Sequence, residues 1–390
     1  MLLKFLKLTQ FRCYAEVRID VPDIGLRIVG DNATGKTSLL EAVGLLATTR
    51  SFRNAQDRDL VRWGSGEEYA VAPFARVEAT IDGGEGQHQL GIAIELAKDA
   101  ESVASKRFEL DGRITSAHRM VGHFTTVTFT PEDVQLVIGA PADRRRSLDI
   151  LISQIDRVYL QRLTRYSQVL RQRNSLLKSF ARDRVLPTAA PAVTQISFWD
   201  EQLVAEGGYL VALRARMLDQ LDRAMEQRSS EIAGEVRFGL RYASRTSVHL
   251  PSLTGETNDH DAVTRANQAL HDDLERHRAD EFRRGMTLTG PHRDDVEFEI
   301  AGRSLARFGS RGQQRMGVLA LKLAEADVVA FMTGDGPVFL LDDVLSELDN
   351  SHRDLLLDAV RTHASQLLLT SADPDLGRHS ALSDLGTFAT

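Results

Sequence analysis

A phosphate-loop pattern near the start of the chain limits the possible folds more than any other feature. Residues 30–37 spell GDNATGKT and match G-x-x-x-x-G-K-[ST] in full. The pattern follows the strand-like run GLRIV and precedes the helix-like run SLLEAVGLL, which is the context that this loop requires. We therefore expect an α/β fold in which a nucleotide binds at the edge of a largely buried sheet.

The residue types of this loop suit phosphate. Glycine lets the backbone turn its N–H groups towards an anion, and the N-terminus of the following helix adds positive potential. Lys36 is predicted to neutralise the β- and γ-phosphates, and the Thr37 hydroxyl to hold Mg²⁺. The predicted phosphate-binding residues are Gly30, Asp31, Asn32, Ala33, Thr34, Gly35, Lys36 and Thr37.

A second part of a nucleotide site lies near the far end of the chain. Residues 338–341, VFLL, have the character of a buried strand, and Asp342 and Asp343 follow at once. Ligands of parallel sheets bind at the carboxyl ends of the strands. Asp342 is therefore predicted to hold Mg²⁺, and Asp343 to orient or deprotonate the attacking water.

Ser310 marks a second anion site. Residues 309–315, GSRGQQR, lead directly into a long helix-like stretch. The Ser310 hydroxyl, the flexible Gly312 and the helix N-terminus would together clamp an anion. Since the phosphate loop already supplies one anion site per chain, the two sites are reconciled if the clamp of one subunit closes on the nucleotide of another. A capped helix with no ligand is the alternative.

Composition excludes several classes of protein. Cys13 is the only cysteine, so neither a disulfide framework nor a four-thiolate zinc site is possible. No uninterrupted apolar run approaches about 20 residues, so no membrane span is expected. A cytoplasmic setting fits these features best.

The charge distribution is uneven. Net charge is −7, yet the stretch from Asp143 to Arg184 holds eleven Lys/Arg against four Asp. A solvated helix face and a surface for nucleic-acid phosphates both explain such a surplus.

Periodicity predicts the elements between these motifs. Alternating stretches between Tyr69 and Leu110 predict an antiparallel flap. Steps of three and four from Leu148 to Phe180 predict one long helix whose apolar stripe is broken by Arg173, and a second helix follows a Pro/Ala/Thr-rich link. These helices are expected to form an antiparallel hairpin.

The predicted domains follow from this order. Residues 1–130 form the first part of an ATPase head, residues 131–282 a helical arm, and residues 283–390 the second part of the head.

The order of these motifs resembles the ABC-type ATPases of chromosome maintenance and, among them, the RecF family of bacterial DNA-repair proteins. The resemblance covers nearly the whole chain. It implies an α/β P-loop ATPase head with a mixed sheet and an antiparallel flap, plus an inserted helical arm. The strings that carry it are Phe11-Arg12-x-Tyr14, SLLEA after the phosphate loop, Ser51-Phe52-Arg53, Thr130-Pro131-Glu132-Asp133, Arg144-Arg145-Arg146-x-x-Asp149, Thr289-Gly290-Pro291-His292-Arg293-Asp294-Asp295, the Ser310 motif and Leu341-Asp342-Asp343.

The resemblance also implies a function. Such proteins bind ATP and Mg²⁺, form an ATP-dependent homodimer, and bind gapped, single-stranded and double-stranded DNA. With RecO and RecR they promote RecA loading, and weak, DNA-stimulated ATP hydrolysis serves as a release switch. No membrane partner is implied.

The family assigns further residues to these roles. The nucleotide contacts that the resemblance implies, besides Ser310 and Gly312, are Arg12, Ser38, Gln313 and Asp349. The implied DNA contacts are Arg144, Arg145, Arg146, Arg157 and Arg165. The arginine triplet could instead pair with acids at the junction of the arm.

The sequence departs from the family at several positions. Ala33 stands where glycine is usual, and Asp343 is one methylene shorter than the glutamate that ABC ATPases often carry. The shorter carboxylate predicts weak activation of water. Thr370 and Ser371 stand where many relatives have histidine, so the γ-phosphate sensor has no assignment.

Other functions fit parts of the pattern. An ABC-type subunit of another DNA-maintenance or transport complex, a P-loop kinase or nuclease, and a structural DNA-bridging protein are the alternatives. His292, Asp294 and Asp295 resemble a metal or nuclease cluster, but Arg293 lies among them. A structural or interface role is therefore predicted for this string.

Overall fold

The computed structural model describes most of the chain and divides it into two compact units. The first unit comprises Met1–Val134, Gln227–Val236 and Arg315–Thr390, and the second Gln135–Glu226 and Arg237–Gln314. Asp349, an implied nucleotide contact, lies outside the described residues. The described residues are 1–66, 71–84, 86–97, 102–254, 258–347, 350–372 and 382–390.

Strands and helices are numbered here along the described part of the chain. The strands are β1 (Leu2–Phe11), β2 (Tyr14–Asp20), β3 (Gly25–Val29), β4 (Phe74–Gly83), β5 (Gly86–Leu96), β6 (Val103–Leu110), β7 (Arg113–Thr115), β8 (Thr126–Phe129), β9 (Phe238–Ala243), β10 (Asp295–Ile300), β11 (Arg303–Ser304), β12 (Val338–Asp342), β13 (Gln366–Ser371) and β14 (Gly386–Ala389). The helices are α1 (Lys36–Thr48), α2 (Ala117–Met120), α3 (Gln135–Ile138), α4 (Pro141–Ile155), α5 (Arg157–Arg182), α6 (Ala190–Ala233), α7 (Asp259–Arg284), α8 (Leu305–Phe308), α9 (Arg311–Thr333) and α10 (Asn350–His363).

A parallel sheet forms the centre of the first unit. Among the described residues it has five strands in the order β14, β3, β13, β12, β8, and every neighbouring pair is parallel. The side chains from Val338 to Leu341 are fully buried, as expected for a strand covered on both faces. Since all strands run in one direction, the carboxyl ends of β3, β12 and β13 meet at one edge.

The predicted flap is an antiparallel sheet. Its described strands pair in the order β2, β1, β4, β5, β6, β7. The structure thus has both parallel and antiparallel pairing, but in separate sheets. Tyr69, where the first flap strand was expected to start, lies outside the described residues.

The second unit is mainly helical. The stretch predicted as one helix from Leu148 to Phe180 is two helices, so that prediction is wrong in its continuity. Asp156 separates α4 from α5, because its carboxylate accepts the N–H groups of Val158 and Tyr159 and so caps a new helix. The hairpin partner α6 begins at Ala190, inside the Pro/Ala/Thr-rich link, since proline is tolerated in a first helical turn.

The two units do not follow the three predicted segments residue by residue. The end of α6, from Gln227 to Val236, belongs to the first unit. There the Arg228 guanidinium donates to both carboxylate oxygens of Asp327, at 2.6 and 3.0 Å. Residues 283–314, assigned from sequence to the head, belong to the second unit. No helix among the described residues combines the length and apolar character needed to cross a membrane.

Arg173 does not interrupt the packing of the second unit. Its side chain is 1% exposed. The guanidinium donates to Asp200 and Glu281, each at 2.7 Å, and to the Thr287 hydroxyl at 2.8 Å. A buried cation with paired carboxylates on α6 and α7 therefore ties three helices of this unit together.

Removing this cation is expected to destabilise the chain. Arg173→Met keeps most of the volume but leaves the buried Glu281 without its cation and Asp200 with only Arg278, at 3.5 Å, which costs about 3–5 kcal/mol of the free energy of unfolding. Chemical denaturation followed by circular dichroism measures this loss. Arg182→Met, on the same helix but with its side chain 76% exposed, is the control and should change stability by less than about 0.5 kcal/mol. Equal losses in the two variants would contradict the assignment.

Candidate nucleotide-binding site

The phosphate loop connects β3 to α1 and leaves the helix end open. Gly35 caps α1 with a left-handed φ of 105°, and no side chain accepts from the first turn. A Cβ on Gly35 would lie 2.5 Å from the Cys13 sulfur and 2.8 Å from the Tyr14 hydroxyl, so only glycine fits. The N–H groups of Lys36 and Thr37, the first two residues of α1, have no acceptor within the helix. They are therefore available to an anion.

Lys36 lies folded against its own loop. Its Nζ donates to the carbonyl oxygens of Gly30 and Asp31, at 2.8 and 2.7 Å. Asp31, Asn32 and Ala33 are exposed, with Ala33 at a φ of 68°. Ala33 thus occupies the left-handed conformation that a glycine would adopt without strain.

The neighbouring residues close the loop. The Thr34 hydroxyl donates to the Asp31 carbonyl at 2.9 Å. Ser38 is buried in the first turn of α1, where its N–H donates to the Gly35 carbonyl at 2.9 Å. These hydrogen bonds hold the predicted loop residues in a tight turn.

Asp342 joins the loop to the far end of the chain. The Thr37 hydroxyl donates to Asp342 Oδ1 at 2.9 Å, and the Thr370 hydroxyl donates to the same oxygen at 2.8 Å. Thr370 is the penultimate residue of β13, the strand between β3 and β12. The structure thus brings together the two residues that the sequence predicts as Mg²⁺ ligands, and it adds Thr370.

The Asp342 carboxylate is held under electrostatic stress. Burial raises its pKa, hydrogen bonds from Thr370 and Thr37 lower it, and the charges of Glu132 and Asp343 raise it again. The net direction is upward. A cation at this position would relieve the cost of the buried charge.

The backbone of Asp343 has an unusual conformation. Its φ is 52°, and its N–H donates to the Thr370 hydroxyl at 2.9 Å. A left-handed φ in a residue other than glycine is uncommon and is often found at functional sites. Thr370 therefore positions both aspartates, a role that the sequence analysis missed because only the register of β12 and β13 shows it.

These groups fit a nucleoside triphosphate with Mg²⁺. An open helix N-terminus and a lysine suit phosphate, while a hydroxyl and a carboxylate are the oxygen ligands with which Mg²⁺ joins substrate phosphates. The described residues contain no cluster of three or more His, Cys, Asp or Glu side chains able to hold a metal by themselves.

Arg12 contacts the phosphate-loop helix. Its guanidinium donates to both carboxylate oxygens of Glu41, at 2.8 and 2.7 Å, and to the Asp59 carbonyl at 2.7 Å. Glu41 is fully buried in α1, and it also accepts from the Ser51 hydroxyl. Glu41 was missed as a site residue, although an acid inside an otherwise apolar helix run indicates a buried partner.

Ser310 caps α9 in the second unit. Its hydroxyl accepts the Gln313 N–H at 3.2 Å, and its own N–H donates to the Gln313 side chain at 2.9 Å. This reciprocal pair is a capping box. Ser310 and Gly312 are exposed, and a Cβ on Gly312 would meet nothing closer than 3.9 Å. The predicted clamp therefore has the predicted cap and an open surface.

The arginine triplet is largely engaged within the second unit. Arg144 donates to both oxygens of Asp295, at 2.7 and 2.9 Å, and to the Gly139 carbonyl at 2.8 Å. Arg145 donates to the Asp294 carbonyl at 2.6 Å. For these two residues the structure supports the alternative interpretation, pairing within the protein.

The other implied DNA contacts differ in exposure. Arg146 is half-buried, whereas Arg157 and Arg165 are exposed. The Arg165 side chain lies 3.9 Å from Glu206, a distance that leaves much of its charge to solvent.

His292, Asp294 and Asp295 form hydrogen bonds and ion pairs with other residues of the second unit. The Tyr166 hydroxyl donates to His292 Nδ1 at 2.6 Å, and burial lowers the pKa of His292 to about 4. Asp294 accepts from the Tyr242 hydroxyl and from the Arg245 N–H, and Asp295 pairs with Arg144. These side chains serve the packing of the second unit, in agreement with the predicted role.

The phosphate loop and the strand-end aspartate, joined through Thr37, place this chain among the P-loop ATPases. Residues 2–383 match the family model described as RecF/RecN/SMC N terminal domain. The chain belongs to the RecF family within that group, which confirms the resemblance predicted from sequence.

The similarity to individual relatives extends over nearly the full length of both chains. The chain is 43% identical to the DNA replication and repair protein RecF of Thermomicrobium roseum, across 100% of this chain and 98% of the relative. It is 41% identical to RecF of Chloroflexus aggregans, across 96% and 94%. A solved structure of the recombination mediator protein RecF with ATP, in the RecFOR pathway, superposes with a TM-score of 0.82 at 27% identity, covering 100% of this chain and 95% of that one.

Replacing Asp342 should separate the cost of its buried charge from its predicted role in binding ATP with Mg²⁺. Because the fold raises the pKa of this carboxyl, the folded state favours the protonated form, and the group's contribution to stability is lost as pH rises through the folded pKa. Asp342→Asn removes the buried charge but keeps an oxygen for Thr37 and Thr370. At neutral pH the melting temperature without nucleotide should therefore rise by a few degrees, whereas the further rise caused by ATP with Mg²⁺ should disappear.

Differential scanning calorimetry tests this opposition. The exposed Asp20, changed to Asn, is the control and should alter neither value. A lower melting temperature without nucleotide, together with an undiminished response to ATP and Mg²⁺, would contradict the assignment.

Proposed function

We propose that this chain is an ATP-dependent DNA-binding protein of recombinational repair, which dimerises on ATP and releases its DNA after slow hydrolysis. The observation that carries the proposal is the hydrogen bond between Thr37 and Asp342, because it joins two distant motifs into one site for a phosphate-bound metal. Membership of the RecF family and a solved relative with ATP support ATP as the nucleotide.

The chain's own residues have separate tasks in hydrolysis. Lys36 leaves the loop carbonyls and neutralises the β- and γ-phosphates, while the N–H groups at the start of α1 bind the phosphate oxygens. Thr37 and Asp342 would hold Mg²⁺, which would neutralise charge on the transferred phosphoryl group when bound. Asp343 orients or deprotonates the attacking water. Its short side chain favours slow turnover.

Dimerisation follows from the exposed cap at Ser310. Ser310, Gly312 and Gln313 form an anion-binding helix end in the unit that does not contain the phosphate loop. In the proposed dimer, the cap of one chain binds the γ-phosphate held by the loop of its partner. ATP, which bears that phosphate, then stabilises the dimer, and ADP does not.

DNA binding is assigned to exposed cations of the second unit. Arg157 and Arg165 are exposed on α5, and Arg146 lies on the preceding helix. Arginine neutralises phosphates without reading bases, so binding is nonspecific and weakens with salt. Gapped and single-strand-containing DNA, stimulation of ATPase activity by DNA, and RecA loading with RecO and RecR complete the proposed activity.

The dimer is the most accessible test. Light scattering should show a monomer that becomes a dimer with ATP and Mg²⁺ but remains a monomer with ADP. Lys36→Ala removes the phosphate-binding cation and Ser310→Arg blocks the cap, so both variants should remain monomeric. Ser310→Thr keeps a hydroxyl at the cap and should still dimerise. Dimers of both disabled variants would remove the model.

DNA binding separates this function from its alternatives. Fluorescence anisotropy on gapped, tailed and blunt duplex DNA should show tighter binding with ATP than with ADP or no nucleotide. Equal binding in all three nucleotide states would contradict a nucleotide switch. Cleavage of the DNA, or transfer of phosphate to it, would instead establish a nuclease or kinase.

A further inference from the structure

Trp63 is the most exposed large apolar side chain in the described part of the chain. Its relative exposure is 98%. An indole buries more apolar area than most side chains when it is covered, so a tryptophan in full contact with water contributes nothing to the fold. Neither the phosphate site nor the serine cap uses it.

A tight turn presents this side chain. The Ser65 N–H donates to the Arg62 carbonyl at 3.0 Å, and Gly64 has a φ of 75°. A left-handed third residue is the requirement of a type II turn, in which Trp63 is the second residue. The side chain therefore projects from the outer corner of a defined turn.

The turn is fixed on both sides to strands of the antiparallel sheet. Before it, Val61 forms a β-bridge with Phe11, and the Arg62 N–H donates to the Gln10 carbonyl at 2.8 Å. After it, the Ser65 hydroxyl donates to the Phe74 carbonyl at 2.6 Å. An exposed ring on an ordered turn loses little conformational freedom when a ligand covers it.

The segment that precedes the turn is basic, whereas Glu67 and Glu68 follow the turn in the sequence. Between Arg50 and Trp63 there are four arginines and two aspartates. Asp57 accepts from Lys106 Nζ at 2.6 Å, and Asp59 accepts the Gln56 N–H at 3.0 Å and lies 3.7 Å from the Arg58 guanidinium, so both acids have local partners and Asp59 offsets part of the Arg58 charge. The arginines are Arg50, Arg53, Arg58 and Arg62, of which the first three are exposed.

This composition favours nucleic acid over a protein partner. A protein hot spot is a packed apolar centre with a polar rim. Among the described residues from 50 to 66, Trp63 is the single large apolar side chain that is exposed. One aromatic ring among cations is instead the arrangement that stacks on a base while neighbouring charges neutralise its phosphates.

We propose that Trp63 stacks on an unpaired base of single-stranded DNA and so favours DNA with a single-stranded segment over blunt duplex. The inference rests on the proposed DNA binding and adds a residue that distinguishes between DNA structures. Inside a duplex both faces of every base are covered by its neighbours, so a blunt duplex offers the indole only the outer faces of its two terminal base pairs, and a long blunt duplex offers few such faces per unit of DNA.

The chain carries a convenient reporter. Trp63 and Trp199 are its two tryptophans, so Trp199→Phe leaves Trp63 as the sole source of tryptophan emission. In the presence of ATP and Mg²⁺, titration with oligothymidylate or a tailed duplex should quench this emission, while a blunt duplex should not. The matched variant Trp63→Phe, which reports from Trp199, should show no such difference.

Affinity gives a second measurement. Trp63→Ala should weaken binding of the tailed duplex at least about fivefold, the low end for loss of one stacked base. Trp63→Phe should retain most of the affinity. The dependence on salt should be unchanged, because no charge is lost. Unfolding temperatures should match the original chain, since the side chain is 98% exposed.

Three outcomes overturn the inference. Tailed DNA that binds, by anisotropy, without any change in Trp63 emission removes the stacking role alone and leaves the proposed function intact. Absence of DNA binding in every nucleotide state removes both. A change in Trp63 emission on ATP-dependent dimerisation without DNA would assign the residue to the contact between two chains.

Discussion

The hydrogen bond from Thr37 to Asp342 is the interaction on which the site depends. It spans 305 residues of sequence, and it exists because β3 and β12 flank β13 in one parallel sheet. Thr370, at the end of that central strand, donates to the same carboxylate oxygen. Neither motif alone could hold a phosphate-bound metal. The sheet order therefore makes one site from the two ends of the chain.

The sequence predicted what short motifs determine. The phosphate loop and Asp342 follow from residue types whose strand context is local, so their meeting could be foreseen. Glu41 and Thr370 could not be assigned, because their partners depend on which strands become neighbours. Asp156 was missed for a different reason: a helix break by capping preserves the apolar period on both sides.

The charged residues show the same limit of prediction from sequence, because their partners depend on the fold. The stretch from Asp143 to Arg184 does hold a surplus of cations. However, Arg144, Arg145 and Arg173 form hydrogen bonds to residues of the second unit. Burial decides which cations stay exposed to solvent, and periodicity alone does not separate them. Trp63, the most exposed aromatic ring in the described part of the chain, instead follows a short basic segment.

The account requires that each active centre be shared between two chains, and mixing two disabled variants tests this directly. Lys36→Ala and Ser310→Arg should each lack ATP turnover, but a mixed dimer combines one intact loop with one intact cap. Because neither variant dimerises alone, every dimer in an equimolar mixture carries one intact centre of two, and turnover should recover to at most about one half of the original. No recovery from a mixture of two folded variants that form mixed dimers, or full turnover by either variant alone, would contradict a shared centre.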